Sequence, residues 1–455
     1  MFKKIELWVV LIILIFFFVI TIFFGAIIDY SYSGGKKFAK IQKISIFLAQ
    51  LPKNLKFILK DGGVNTVSPT SSKLHVNKNR FNKYIDEDLR EELILISRHD
   101  GDLKRSVVEL IDINTFEVLH TFLPDINKIN SKTDTSREEF KYLNRDHSEK
   151  RHYMMHPAIT SKGELIFKSA SPLVKIDFCS NLIWINDENN YHHSTEIDDE
   201  GNIYVPSHIF PFEVSEKIVG KNFDNYLDDG ITILNTNGKV LFSKSVSQIL
   251  IENGYLNRLF ALQKFLNDPI HLNDIQPVLN DGKFWKKGDL FISIRNISMI
   301  FLYRPETNKI IKILENEVML NQHDVDIIDE KSISFFNNNF VFGVDKRVKN
   351  GPNEIIIYDF ENDTYTKKFK EQIDLTDPMT QSQGLHTILK DGSLHLEESN
   401  SGRILFFNSE GKLVWEFINK SSKNEVYDLW WSRVIEDKKL ILSLKKLLDE
   451  KKCLN

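Results

Sequence analysis

The chain has 455 residues, and its 59 lysines and arginines against 63 aspartates and glutamates leave a formal net charge of −4. So balanced a charge argues against a nucleic-acid binder that works through an overall basic surface. Hydrophobic residues make up 42% of the sequence and charged residues 27%, which is typical of a globular protein rather than a disordered chain or a bundle of membrane helices. The two cysteines, Cys179 and Cys453, predict neither a disulfide framework nor a metal-ligand spacing.

An apolar run follows the amino terminus. Residues 7–28 are interrupted only by Thr21 and Gly25, and at about 1.5 Å per residue they span roughly 33 Å, enough for one bilayer crossing. The alternative is a cleaved signal peptide, but its apolar region would be shorter and would end at a small-x-small site. We therefore expect a cytoplasmic tip over residues 1–6 and a transmembrane anchor over residues 7–28.

The lysines around this run leave its orientation open. Two precede it and four follow it: Lys3 and Lys4, then Lys36, Lys37, Lys40 and Lys43. The later lysines alternate with apolar residues at helical spacing between residues 36 and 51, which predicts an amphipathic helix that packs or lies on a lipid surface. Residues 61–82 are polar with little periodicity, so we assign residues 29–82 to an amphipathic helix and a tether.

The remaining sequence repeats one pattern, in which a histidine is followed by a Gly or Asp turn and then by a strand of alternating apolar residues. Five histidines open these units: His156, His193, His271, His323 and His386. Such alternation is typical of antiparallel meanders, and a mean spacing of about 58 residues suits four-stranded propeller blades. Residues 127–151 and the helix-like run 246–266 are then insertions.

A sixth blade would combine strands from both ends of this region. The candidates are Leu93–Ser97 and Val107–Ile111 near its start and Arg433–Ile435 and Leu440–Ser443 near its end. Pairing them in one sheet would close the ring and remove its exposed edge. We therefore predict an all-β fold, a six-bladed β-propeller over residues 83–455, preceded by one transmembrane helix.

Rotation about a propeller axis brings equivalent positions of successive blades to one mouth of the central channel. The repeat thus predicts that the five histidines converge there. Three of them could form a zinc or copper site. Arg295 argues against a metal, because a guanidinium inside such a cluster repels a cation and attracts an oxyanion. We therefore expect neither a metal site nor a cofactor.

Several short motifs occur in one order between residues 150 and 420. They are Tyr191-His192-His193, Asp268-Pro269-Ile270-His271-Leu272-Asn273, Ile292-Ser293-Ile294-Arg295-Asn296, Asn321-Gln322-His323-Asp324 and Gln383-Gly384. In this order and spacing the chain resembles the aryl sulfate sulfotransferase family, bacterial six-bladed propellers that use no nucleotide donor. The chain departs from that family in having Ile294 between Ser293 and Arg295 and in lacking a cysteine pair near the motifs.

The resemblance implies a role for each matched residue. His323 would be the histidine that becomes sulfated, supported by His271, His193 and His192, with Arg295 holding the sulfate. Register within the repeat favours His193 over His192. We also expect Asn273, Asn337 and His386, together with Arg295, to bind substrate.

The resemblance implies transfer of a sulfuryl group from an aryl sulfate ester to a phenolic or other hydroxyl acceptor. Such transfer depends on positioning and on charge placed around the moving oxygens. The expected partners are these small molecules and a membrane, with no nucleic acid. The expected location is the bacterial inner membrane, crossed once, with the propeller in the periplasm. The alternative is a catalytically inactive, membrane-anchored propeller that acts as a binding or scaffold module.

Overall fold

The computed structural model describes residues 4, 6–32, 39–61, 67–70, 74–220, 226–261, 265–343, 346–450 and 453. The chain divides into two units, Met1–Asn65 and Thr66–Asn455. Of the lysines used above to weigh the orientation, Lys3, Lys36 and Lys37 lie outside the described residues.

The first unit contains two helices, α1 over Leu7–Tyr32 and α2 over Ala39–Asp61. Residues Leu7–Ser31 are long and apolar enough to cross a membrane, and they are a candidate membrane span or signal sequence. Helix α2 confirms the helix predicted near residues 36–51, although it extends further and contains Pro52. Its apolar side chains stay exposed within the unit, including Ile44, Phe47 and Leu48.

The second unit is built from antiparallel strands and short helices. In chain order the strands are β1 Phe81–Lys83, β2 Leu93–Asp100, β3 Arg105–Asp112, β4 Val118–Phe122, β5 Met155–Ile159, β6 Leu165–Lys168, β7 Ser171–Ile176, β8 Leu182–Tyr191, β9 Glu196–Ile197, β10 Ile203–His208, β11 Asp229–Leu234, β12 Val240–Ser245, β13 Leu272–Pro277, β14 Leu290–Ile294, β15 Met299–Arg304, β16 Lys309–Leu314, β17 His323–Ile327, β18 Ser332–Asn337, β19 Phe340–Phe342, β20 Arg347–Lys349, β21 Glu354–Asp359, β22 Thr364–Lys367, β23 Leu385–Ile388, β24 Leu394–Glu398, β25 Arg403–Phe407, β26 Leu413–Ile418 and β27 Arg433–Ile435. The helices are α3 Ile126–Asn130, α4 Leu143–Asp146, α5 Glu216–Val219, α6 Val246–Glu252, α7 Leu256–Phe260, α8 Lys370–Thr376 and α9 Lys438–Glu450.

The sheets form a propeller-like all-β arrangement. Three four-stranded sheets have the orders β13-β14-β15-β16, β17-β18-β21-β22 and β27-β2-β3-β4. A fourth sheet, β1-β26-β25-β24-β23, has five strands, and a fifth runs from β5 to β12 through the pairing of β8 with β10. Strands β19 and β20 form a separate hairpin inserted after β18. Because two runs of strands merge into one sheet, the predicted number of blades remains a prediction.

The two ends of the unit meet in one sheet, as the sequence predicts. Strand β27 pairs with β2, with Leu93 opposite Ile435 and Leu95 opposite Arg433. The prediction for Leu440–Ser443 is wrong, because these residues belong to helix α9 rather than to a strand. Ile441 and Leu444 lie one helical turn apart and are both buried against the strands around them. The burial of these two residues on one face therefore stabilises a helix here, although the short apolar run is also compatible with a strand.

Two further features differ from the sequence predictions. Strand β1 begins at Phe81, inside the region predicted to be a tether, and it pairs with β26 at the outer edge of its sheet. Cys179 and Cys453 form a disulfide with a Cα–Cα distance of 5.3 Å. The prediction of no disulfide is wrong because the fold brings together two residues that are 274 positions apart in the sequence.

Candidate functional site

The innermost strands open with an unusual backbone conformation. His156, His193 and His271 have positive φ angles of 42°, 52° and 53°. In the two following units the positive φ falls on Asn321 and Gln383, at 57° and 59°. The sequence pattern predicts one shared repeat position for the five histidines, and this prediction is wrong for His323 and His386.

Hydrogen bonds between neighbouring units fix this register. The Asp274 carboxylate accepts from the Val325 N–H at 2.7 Å, and the Asp324 carboxylate accepts from the His386 N–H at 2.6 Å. His271 and Asn321 each precede their aspartate by three residues. His271 and Asn321 are therefore equivalent positions, which leaves His323 and His386 in different surroundings.

His193 and His271 lie side by side at the start of their units. Their ring centroids are 4.9 Å apart and the rings meet edge to face. Nδ1 of His271 lies 2.6 Å from the Asp268 carboxylate, which also accepts from the His271 backbone N–H. Because a carboxylate accepts hydrogen bonds, this contact fixes a proton on Nδ1 and leaves Nε2 of His271 to act towards the site.

His192 lies behind His193. The Nδ1 atoms of the two rings are 2.7 Å apart, so one proton is shared between them and only one ring can donate. Nε2 of His192 is 3.2 Å from Oδ1 of Asp229. Burial lowers the pKa of His192 to about 4, so the ring is neutral near pH 7. His193 therefore lies beside His271, and His192 lies between His193 and Asp229.

His323 is fully buried at the start of β17, and its ring is held by an asparagine. Nδ1 lies 2.6 Å from Oδ1 of Asn338 and 3.2 Å from the Asn321 carbonyl. The Asn338 amide nitrogen donates to two carbonyls, of Thr380 and Gln383, which fixes Oδ1 towards the histidine. Both neighbours of Nδ1 are acceptors, so Nδ1 carries the proton and Nε2 keeps its lone pair.

Among the residues that the structure describes, Nε2 of His323 has one weak partner, the backbone N–H of Gln383 at 3.2 Å. Burial, and next the charge of Arg295, hold the pKa of His323 well below its usual value. The ring is therefore neutral near pH 7, with an available nitrogen lone pair.

Arg295 follows strand β14 and is attached to the same loop as His271. Its backbone N–H donates to the His271 carbonyl at 3.1 Å, and its guanidinium donates to the Asn296 side chain at 3.0 and 3.2 Å. Burial, and then the neighbouring Arg347, lower the pKa of Arg295 to about 10, so it remains charged near pH 7. Both guanidinium groups contact the ring of Phe342, at 5.9 Å for Arg295 and 5.2 Å for Arg347.

Four of the predicted residues lie within electrostatic reach of one another. The pKa of His193 is held well below its usual value by burial first, and then by the charges of its histidine neighbours, His323 among them. Arg295 and His271 act on His323 in the same way. His193, His271, Arg295 and His323 thus form one cluster, hereafter the histidine–arginine cluster, in which the charge of Arg295 suits an oxyanion.

The other predicted residues lie elsewhere. Nδ1 of His386 is 2.9 Å from the Asp324 carboxylate, and its Nε2 is 2.7 Å from the Ser334 hydroxyl, so both ring nitrogens are engaged outside the cluster. Asn337 donates to the Val318 carbonyl and accepts from the Leu320 N–H, both in the loop that precedes β17. Asn273 donates to the Gln322 carbonyl at 2.7 Å, one residue from His323.

Sequence reasoning missed residues that orient or charge the cluster. The asparagine against His323 is Asn338 rather than Asn337, and a shift of one residue reverses the direction of a strand side chain. Asp268 could have been found from its position three residues before His271 in the same tight turn. Asp229 and Arg347 come from separate strands, and no sequence signal connects either of them to the histidines.

Comparisons with known proteins identify a family that the chain matches. A family model described as Arylsulfotransferase (ASST) matches residues 156–420. A search of curated proteins finds no match. Similar solved structures include a protein of unknown function from Bacteroides caccae, with 13% identity, a TM-score of 0.47 and coverage of 76% of this chain and 99% of that chain. Virginiamycin B lyase from Staphylococcus aureus, also at 13% identity, has a TM-score of 0.34 and coverage of 57% of this chain and 68% of that one. The family match spans more than half of the sequence and contains every residue of the histidine–arginine cluster, so the chain belongs to the arylsulfotransferase (ASST) family.

Proposed function

We propose that this protein moves a sulfuryl group from an aryl sulfate ester to a phenolic or other hydroxyl acceptor, through a sulfated His323. The observation that carries the proposal is the tautomer of His323. Asn338 holds the proton on Nδ1, and the neutral ring presents the Nε2 lone pair close to the charge of Arg295. A neutral imidazole nitrogen is a nucleophile at neutral pH.

In the first half-reaction Nε2 of His323 attacks sulfur. An N–S bond forms as the bond from sulfur to the aryl oxygen breaks, and the electron pair of that bond leaves on the aryl oxygen. Nε2 of His271, when protonated, gives its proton to this oxygen, and Asp268 stabilises the charged ring through its contact with Nδ1. The phenol leaves, and the sulfated ring keeps its proton on Nδ1, where it donates to Oδ1 of Asn338.

Charge placed around the sulfuryl oxygens lowers the barrier. The guanidinium of Arg295 can donate to two oxygens through its planar fork, and it is held by Asn296 from behind. His193 lies beside His271 and can contact a third oxygen. These groups are fixed before substrate binds, so little reorganisation is needed in the transition state.

The second half-reaction reverses the first on an acceptor. The now neutral His271 takes the proton from the acceptor hydroxyl, whose oxygen attacks sulfur as the N–S bond breaks. His323 regains its lone pair and His271 its proton. The enzyme thus returns to its starting state without a cofactor in any step.

The fold supports a six-bladed propeller as the frame for this site. Six runs of four strands can be counted if the merged sheet is divided where β8 meets β10, namely β27 with β2–β4, β5–β8, β9–β12, β13–β16, β17 with β18, β21 and β22, and β23–β26. We propose that this division gives the blades.

We further propose that the propeller lies outside the bacterial inner membrane, in the periplasm. The Cys179–Cys453 disulfide supports this, because disulfides persist in oxidising compartments. The candidate span at Leu7–Ser31 would anchor the chain there.

One observation favours the alternative of an inactive binding or scaffold module. The lone pair of His323 Nε2 already accepts the Gln383 N–H, and this contact has to open before sulfur can approach. At 3.2 Å it is a long hydrogen bond, and we therefore favour catalysis.

The test is turnover of a chromogenic aryl sulfate with a phenol as acceptor, using the detergent-solubilised full chain. We expect release of the coloured phenol by the wild type and none above background by His323→Gln. His120→Gln is the matched control, because His120 contacts the Phe178 carbonyl, away from the cluster. Equal turnover by the wild type and His323→Gln would refute the mechanism, and no turnover by either would favour the scaffold.

A further inference from the structure

A second group of side chains lies behind the histidine–arginine cluster. Strands β10 and β11 pair so that His208 stands directly opposite Asp229. His192 follows β8 closely, and its backbone N–H donates to the Pro206 carbonyl at 3.0 Å. These elements bring Nε2 of His192 and Nε2 of His208 each to 3.2 Å from the same carboxylate oxygen, Oδ1 of Asp229.

The contacts within this group are not hydrogen bonds. Nε2 of His192 and Oδ1 of Asp229 are both buried, and neither has a hydrogen-bond partner among the residues that the structure describes. At 3.2 Å a ring N–H aimed at the carboxylate would bond to it, so the N–H directions must pass beside the oxygen. A buried polar atom without a protein partner is costly, which marks these two atoms as candidate ligand donors.

We propose that His192, His208 and Asp229 bind a divalent transition-metal ion, with Zn²⁺ as the reference ion. The three donor atoms lie within 4.8 Å of one another. Donors about 2.0 to 2.1 Å from a tetrahedral zinc ion lie about 3.3 Å apart, close to the observed separations from Asp229. Two histidines and one carboxylate leave a further coordination position open for water.

The surroundings fit a metal site. The other carboxylate oxygen of Asp229 accepts from the Leu272 N–H at 2.7 Å, and the second nitrogen of His192 contacts His193 at 2.7 Å, so two ligands are oriented from behind. The side chain of His208 is 27% exposed, which gives an ion a route from solvent. Asp229 and Asp268 together offset the charge of Arg295.

The ion would also determine which ring, His192 or His193, carries the proton between their Nδ1 atoms. The consequence for the substrate rests on the proposed function. A ligating Nε2 of His192 leaves its proton on Nδ1, which then donates to Nδ1 of His193. His193 in turn carries its proton on Nε2, where it can donate to a sulfuryl oxygen. The site would thus convert His193 from an acceptor to a donor towards the substrate.

The test measures bound metal directly. The full chain in detergent is stripped with a chelator, and Zn²⁺ binding is followed by equilibrium dialysis with elemental analysis. We expect one zinc per chain for the wild type. Loss of a direct ligand should cost more than the roughly 10- to 100-fold loss of affinity that removal of a second-shell partner causes, so His208→Gln should bind zinc at least that much more weakly. Co²⁺ in place of Zn²⁺ should give a visible spectrum of low-symmetry coordination that His208→Gln lacks.

Two controls locate the ion and separate it from catalysis. His386→Gln tests the other possible ligand group, Asp324, Asp326 and His386, and should keep the zinc. His323→Gln removes the proposed nucleophile and should also keep it, so that loss of function and loss of the site are distinguishable. Thermal unfolding of each variant checks its fold. The proposal is overturned if the wild type binds no zinc, if folded His208→Gln binds zinc as tightly, or if the ion is lost from His386→Gln instead.

Discussion

Replacement of Asn338 by alanine tests how His323 is held. The change removes the 2.6 Å acceptor of the His323 Nδ1 proton and two donations, at 3.2 Å to the Thr380 carbonyl and 2.7 Å to the Gln383 carbonyl. Nδ1 is left with the Asn321 carbonyl at 3.2 Å. The Thr380 carbonyl keeps a donor from Asn353, so the severe losses are those at Nδ1 and at the Gln383 carbonyl.

The magnitude follows from these two groups. A buried group that loses its hydrogen-bond partner destabilises the fold by about 1 to 3 kcal/mol, so Asn338→Ala should lower the free energy of unfolding by roughly 2 to 6 kcal/mol. The ring also loses its fixed tautomer and direction. If the fixed orientation of the ring stabilises the transition state by about 1.5 to 3 kcal/mol, its loss lowers the rate of the first half-reaction about 10- to 100-fold.

The assay is single-turnover release of a coloured phenol from an aryl sulfate, measured alongside thermal unfolding. Asn337→Ala is the matched control, because Asn337 is the adjacent residue, is equally buried and bonds to Val318, Leu320 and Glu354 rather than to the His323 ring. It should lose comparable stability and retain the rate. Equal rates for the two variants would refute the assignment of Asn338 as the residue that positions His323.

Three further changes test the charge, the disulfide and the buried histidines. Arg295→Lys keeps the charge but loses the planar fork, so kcat/KM should fall about 10- to 100-fold in the same turnover assay. The double variant Cys179→Ala, Cys453→Ala releases a cross-link across 274 residues and should lose about 2 to 5 kcal/mol in denaturant unfolding. Burial lowers the pKa of His152 from 6.5 to about 3. Below pH 6.5 the unfolded chain therefore takes up a proton that the folded chain does not, and stability falls by up to about 1.4 kcal/mol per pH unit, a slope that His152→Phe should remove.

Each of these has a contradicting result. If kcat/KM is unchanged in Arg295→Lys, the guanidinium does not donate to two oxygens of the sulfate ester. Identical unfolding of the double cysteine variant and the wild type under non-reducing conditions would deny the cross-link any role in stability. Parallel stability curves for His152→Phe and the wild type between pH 7 and 5 would mean that His152 takes up protons equally in both states.

The closure of the propeller could be predicted from sequence because each strand carries its own alternation and its own turn. Leu93 and Ile435 belong to apolar strands at opposite ends of the repeat region. Their pairing could be predicted because a ring of blades without it would leave an exposed sheet edge. Helix α9 was missed because residues 440–443 are a short apolar run, and such a run does not distinguish a strand from a helix. The disulfide was missed because only the fold brings Cys179 close to Cys453.

The cluster could be predicted in part for the same reasons. Family motifs and repeat position indicated His193, His271, Arg295 and His323, whose side chains the fold brings within electrostatic reach. The supporting groups depend on tertiary contacts. Asp229 reaches His192 and His208 from a neighbouring strand, and Asn338 differs from the predicted Asn337 by one step along a strand. His386 has the expected residue type but not the expected position, because its repeat places Gln383 where three of the other units have His156, His193 and His271.

The most direct measurement is to trap the covalent intermediate. The full chain is mixed with an aryl sulfate without acceptor, quenched in alkali, digested and analysed by mass spectrometry. The account predicts one sulfuryl group on the peptide that contains His323, lost when a phenol is added before the quench and absent from His323→Gln. A turning-over wild type with no sulfated peptide, or with the group on His193 or His271 instead, would contradict it.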